Sequence, residues 1–266
     1  PSLNVFTFLI AAFSLFGLIS SIALLFNKRI NRHSMKWLSV LLAVTCIIMI
    51  SFVMYWSGFY NEYPYLNGLW HVLYFLIGPF FYFYVSTIFE KGPSANMKMV
   101  HLLFPVCIFI VVLLSGNLFI NIDVNINEGV KSFFLSFSLK LIHLSFYFIL
   151  SYKVSLGDWV IDSKIRFWRN VILSSFAVFI FANIVYYLLS FWPGFNESWD
   201  YFISAIMAIG VLGVVVIGMV EPNYLQFGNS EILNNNRLSI HSNERVDLDT
   251  MNVDKEVTRS EKYQTS

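Results

Sequence analysis

Charge is scarce in this chain. Only 12% of its 266 residues are Asp, Glu, Lys or Arg, about half the ~25% of an ordinary soluble domain, which excludes a water-soluble globule with the usual charged surface. Cysteine is scarce as well. Cys46 and Cys107 each lie inside an apolar run, so neither a disulfide framework nor a thiolate metal site is expected, and both read as packing residues. Acidic residues are missing from the middle of every long apolar run. There is no H-E-x-x-H, no G-x-S-x-G, no phosphate-binding glycine loop and no pair of carboxylates at matching depth, so neither an enzyme nor a resident metal or cofactor is expected. No basic residue precedes the apolar stretch Leu3 to Phe26, which is also too long for the core of a signal peptide. The first residue, Pro1, is not a Met, and a fragment or trimmed product is the expectation.

What is present is apolar. Hydrophobic residues make up 57% of the chain and aromatic residues 18%, a membrane composition. A bilayer core needs roughly 20 apolar residues per helix. Seven stretches reach that length: Leu3 to Phe26, Trp37 to Trp56, Leu69 to Phe89, Val100 to Ile120, Ser132 to Tyr152, Trp168 to Phe191 and Trp199 to Val220. Short connections join them, so residues 1–220 are expected to form one all-α bundle of seven transmembrane helices. Residues 221–266 are expected to form a polar, flexible cytoplasmic linker.

Direction follows from loop charge. The first, third and fifth connections, with their helix ends, carry ten Lys or Arg, among them Lys28, Lys91, Lys153 and Arg169, whereas the opposite side has only Lys131. The N-terminus is therefore expected outside and the C-terminus in the cytoplasm. Trp37, Trp56, Trp70, Trp168, Trp192 and Trp199 fall at span ends, where indole rings anchor at the headgroups.

Polar residues inside the spans form stripes. In the fifth span Ser132, Ser136, Lys140, His143, Tyr147 and Ser151 recur at spacings of 4, 4, 3, 4 and 4, which is one face of a helix. At 1.5 Å per residue Lys140 lies roughly 12 Å below the outer end of its span. An ionisable side chain that deep points first to function. His71, Tyr74, Gly78, Tyr82 and Ser86 share a face of the third span, and Asn183, Tyr187 and Ser190 a face of the sixth. These spans are expected to enclose a small outward-opening pocket, with Lys140, His143, Tyr147, Tyr74, Tyr82, His71 and Asn183 around it. The Gly78-Pro79 pair would bend the third helix and shape the wall, because a neighbouring helix, hydroxyl or water can re-satisfy the carbonyl that proline frees.

Lys140 has no built-in counter-ion, and a small anionic ligand would supply one. The structural alternatives are that Lys140 is held neutral by burial, snorkels, or is hydrogen-bonded to Tyr and backbone groups, with His143 bridging helices. His71 and His101 sit near span ends, where interfacial roles are expected. Small residues at Ser14, Gly17 and Ser21, and at Ser204 and Ala208 with Gly210, Gly213 and Gly218 nearby, permit close helix approach.

After Val220 the chain reads "EPNYLQFGNSEILNNN", in which Glu221-Pro222 stops the helix. The tail is net acidic, with 5 Lys or Arg against 8 Asp or Glu, which argues against a nucleic-acid arm. A seven-span bundle with "GPFFYFYVS" (Gly78 to Ser86) in the third helix and "HLLFP" (His101 to Pro105) opening the fourth, followed by a linker ending Lys262-Tyr263-Gln264-Thr265-Ser266, resembles the membrane-embedded input region of bacterial AraC-type transcription regulators. The resemblance implies a one-component sensor of the bacterial inner membrane, expected as a homodimer, whose linker leads into paired helix-turn-helix motifs. This chain carries no recognition helix, so no DNA-binding residue is assigned in it, and DNA would be reached only through a further domain. A small-molecule transporter, an accessory membrane protein and a membrane enzyme are the competing readings, but no repeated halves with broken helices support transport.

Overall fold

The computed structural model describes residues 4–26, 32–63, 66, 69–89, 92–112, 136–156, 163–193 and 200–220. Among them the regular structure is helical, with seven long α-helices and one short one. In chain order they are α1 (Val5–Phe26), α2 (Arg32–Trp56), α3 (Phe59–Glu62), α4 (Leu69–Ile88), α5 (Ala95–Val112), α6 (Phe137–Ser155), α7 (Ser163–Leu189) and α8 (Asp200–Val220). Each long helix overlaps one of the seven apolar stretches, as expected where every backbone group must be satisfied within its own segment. The linker and its Lys262 to Ser266 motif, Ser132, the end of the fourth stretch and Trp199 lie outside the described residues.

Among the described residues five helices are long and apolar enough to cross a bilayer: α1, α2 from Ser34, α4, α5 and α7 from Arg166. The protein is thus a multi-pass membrane protein by the length and composition of its helices. In α8 the described side chains of Tyr201–Val216 form a further apolar stretch. α6 falls outside the set, and its sequence gives the reason: Lys140, His143 and Lys153 interrupt its apolar character.

α4 is the centre of the bundle, packing against α2, α5 and α6. Its sequence suits that place, since Tyr74, Phe75, Ile77, Phe81, Phe83 and Tyr84 are all buried. The helix runs unbroken through Gly78 and Pro79, both buried. A second interior proline, Pro105, lies within α5. α1 lies against α2 and α8, and the small residues provide the fit. A Cβ on Gly17 would collide with Cys46 Sγ of α2 and come within 2.8 Å of Val211 Cγ1 of α8. Ser21 Oγ donates to Ser39 O at 2.7 Å, and Ser39 Oγ donates back to Ser21 O at 2.5 Å, so the two helices are clasped by reciprocal hydroxyl bonds. In α8 the small residues divide. Ser204 and Ala208 are buried, while a Cβ on Gly210 or Gly213 would meet nothing within 4 Å.

The rest of α1 presents Phe6, Phe8, Ile19 and Phe26 outward, each more than 60% exposed. In water such a face would be a liability; against acyl chains it is the matching surface. Cys46 is buried and Cys107 exposed, both as free thiols.

Candidate functional site

Lys140 is placed by the start of α6. Ser136 caps the helix, accepting a hydrogen bond from the Leu139 N–H at 3.3 Å, and the next residue turns inward. Lys140 is 2% exposed. Its Nζ lies 3.8 Å from the centroid of the Trp70 ring and 5.7 Å from that of Tyr74. Such a contact is worth roughly 2 kcal/mol or more when the cation is desolvated. Among the described side chains the only carboxylate is Glu62, which is exposed. Aromatic faces therefore stand where a counter-ion would be looked for.

Trp70 and Tyr74 also belong to the wall of a cavity of about 400 Å³. It lies at the end of the bundle that holds α3, between Ser51 and Phe52 of α2, Tyr60 of α3, Phe137 of α6, Tyr186 of α7 and Ile203 of α8. Its volume falls within the roughly 300–1,000 Å³ of small-molecule sites. Seven of its ten lining residues are Phe, Tyr or Trp. His71 lines it too, with its ring stacked on Trp70 at 3.8 Å between centroids. The His71 Nδ1 is buried and has no hydrogen-bond partner. Burial pushes the Tyr60 hydroxyl above its ordinary range, which keeps it protonated as a donor at the mouth of the bundle.

Tyr74 closes the floor. Its hydroxyl donates to Asn183 Oδ1 at 2.6 Å, and Asn183 Nδ2 donates to Phe179 O at 2.8 Å. Both residues are almost wholly buried, and the bond ties α4 to α7. These groups are spent on each other, whereas Lys140 Nζ and His71 Nδ1, like the Trp56 indole N–H at the same end, have no hydrogen-bond partner among the described residues.

A second polar cluster lies further along α4. His101 Nδ1 and the Tyr147 hydroxyl are 3.0 Å apart, and the same hydroxyl donates to His101 O at 3.3 Å. The Tyr82 ring packs against both, at 5.1 Å from His101 and 6.2 Å from Tyr147. His143 sits between Phe75, Phe104 and Tyr147, with centroid separations of 5.1, 5.3 and 4.8 Å. Neither of its ring nitrogens has a hydrogen-bond partner. Gly78 makes the junction possible, since a Cβ there would come 2.7 Å from Tyr147 Cδ2.

The residues expected around one pocket thus fall into two groups. His71 and Tyr74 line the cavity, with Lys140 packed on the lining rings of Trp70 and Tyr74 and Asn183 bonded to Tyr74. His143, Tyr147 and Tyr82 gather with His101 at the second cluster, with Gly78 and Pro79 buried in the helix that joins the two. Three features escaped the sequence reading. Trp70 supports a cation in addition to any interfacial role; Trp168 is 2% exposed and donates from Nε1 to the Tyr84 hydroxyl at 2.8 Å; and Phe52, Tyr60, Phe137 and Tyr186 line the cavity. The available signal was the pairing of a mid-span lysine lacking an acid with an abundance of aromatic residues near the same end.

Among the described residues no group of three or more His, Cys, Asp or Glu side chains could hold a metal ion. No family model, no curated protein and no solved structure matches this chain.

Proposed function

We propose that this protein is a membrane-embedded sensory domain. All seven long helices cross the inner membrane with the N-terminus outside. A small anionic ligand reaches the aromatic cavity from the outer side. Its binding shifts a pre-existing equilibrium between two packings of the bundle. α8 and the segment 221–266 pass the shift, in a homodimer, to a cytoplasmic helix-turn-helix domain of the kind the resemblance to AraC-type regulators implies.

The observation that carries this reading is the burial of Lys140 against the wall of a ligand-sized cavity with no carboxylate beside it among the described side chains. A charge in that position is costly to maintain for packing alone. The loop charges support the orientation, and they put the cavity at the outer end. The inward polar face of α6 supports its membership of the bundle, because a helix with Lys140 and His143 on one side is accommodated only where that side meets protein.

The test is output. With a dimerisation-dependent DNA-binding reporter fused after Ser266, Lys140→Met is expected to change reporter expression several-fold, while Lys140→Arg keeps the wild-type response. Equal output from all three, at equal membrane abundance, contradicts the proposal.

A further inference from the structure

The cavity at the α3 end has a chemical bias that narrows its ligand. Its walls are flat: Phe52 and Tyr55 on α2, Tyr60 on α3, Tyr74 on α4, Phe137 on α6 and Tyr186 on α7. Rings pack best against rings, offset or edge to face, at a gain of roughly 0.5–1.5 kcal/mol per pair beyond area burial. A branched or flexible apolar body would bury the same area without that gain.

The polar complement is equally one-sided. Lys140 Nζ lies against Trp70 and Tyr74, and His71 Nδ1, next to Trp70, is buried without a partner. Lys140 and His71 both pack against the Trp70 ring. A cationic ligand would be repelled by Lys140, and a neutral one would leave the ammonium with only ring faces. A carboxylate placed beside Trp70 would accept from Lys140 Nζ in a charge-assisted bond, and from the imidazole when Nδ1 carries its proton. Tyr74 does not compete for that role, because its hydroxyl is committed to Asn183 at 2.6 Å.

We propose that the cavity binds a planar aromatic carboxylate, its rings among the aromatic walls and its carboxylate held by Lys140 and His71 beside Trp70. This rests on the sensory reading above and names the ligand class of the same site. Binding draws the Lys140 ammonium from the indole face toward the carboxylate, so the ligand replaces a ring contact with an ion pair in a site of low dielectric.

The test uses the full chain in nanodiscs of phosphatidylcholine, a lipid without net charge. Binding of 2-naphthoate is measured by equilibrium dialysis against empty discs, with 2-naphthamide as the neutral isostere and decanoate as the carboxylate on a flexible tail. One saturable equivalent of 2-naphthoate per chain is expected. The amide and decanoate should each bind at least about tenfold more weakly. Lys140→Met should lose about tenfold or more for 2-naphthoate, and Lys140→Arg should stay within a few-fold of wild type. Equal binding of naphthoate and naphthamide overturns the carboxylate assignment in the unaltered protein, without relying on any variant. Preference for decanoate overturns the planar body and points to a fatty-acid site, and no binding above empty discs overturns the proposal altogether. The reporter separates this outcome from the sensory reading. Output that depends on Lys140 without naphthoate binding sinks the ligand class alone, whereas naphthoate binding with an unresponsive reporter sinks sensing alone.

Discussion

Tyr74 of α4 donates its hydroxyl proton to Asn183 Oδ1 of α7 at 2.6 Å, in a setting where both side chains are almost wholly buried. The bond joins the central helix to α7 directly below the cavity, so cavity shape and helix packing are one problem. Tyr74→Phe leaves the Asn183 oxygen buried and unpaired. Its expected cost is about 1–3 kcal/mol for a stranded polar group, toward the lower end if the asparagine finds another partner within the bundle. Thermal unfolding in detergent should show a clear fall in Tm for Tyr74→Phe, and a smaller further fall when Asn183→Leu is added, because the second change removes the stranded group. Independent, additive losses would mean that the two residues are not coupled.

Gly78 is the second position where packing dictates the residue. An alanine there would bring its Cβ to 2.7 Å from Tyr147 Cδ2 and 3.0 Å from Cγ, so Gly78→Ala is expected to cost roughly 1–3 kcal/mol through overpacking. Adding Tyr147→Ala should make the double variant cheaper than the sum of the two single changes. The control is Gly213→Ala in α8, where nothing lies within 4 Å of the added atom. Its expected effect is neutral or a gain of up to about 1 kcal/mol from helix propensity. The two glycines look alike in sequence and should behave oppositely in an unfolding assay.

Much of this architecture is legible in the sequence because helix length and helix face are local properties. The apolar runs mark the long helices. The spacing of Lys140, Tyr147 and Ser151 puts them on a common side of α6, and all three are buried. What periodicity does not carry is the pairing of one helix face with another. It set Lys140, His143 and Tyr147 around one pocket, yet the structure places Lys140 on Trp70 and Tyr147 on His101. The two sites lie at different depths, which a stripe on a single helix does not separate. Trp70 and Trp168 were read from their positions as headgroup anchors, whereas the structure gives one a buried cation and the other a buried hydrogen bond to Tyr84. A tryptophan near a span end can serve the interface or the interior, and only the neighbouring helix decides.

The proposed orientation has its own test, independent of any ligand. A periplasm-active reporter inserted after Gly194 should be active, and one fused after Gly228 inactive, with a cytoplasm-active reporter giving the reverse. The opposite pattern would contradict the loop-charge argument and place the cavity on the cytoplasmic side.

The central claim is that Lys140 at the cavity governs how the far end of the bundle is packed. Spin labels at Met99→Cys on α5 and Val216→Cys on α8, both exposed positions, in a Cys46→Ala, Cys107→Ala background, report the separation of those helices by pulsed electron resonance in nanodiscs. The account predicts that Lys140→Met shifts the distance distribution or changes the weights of its components, while Lys140→Arg leaves the wild-type distribution. Superimposable distributions for wild type and Lys140→Met would contradict it and reduce Lys140 to a packing cation on Trp70.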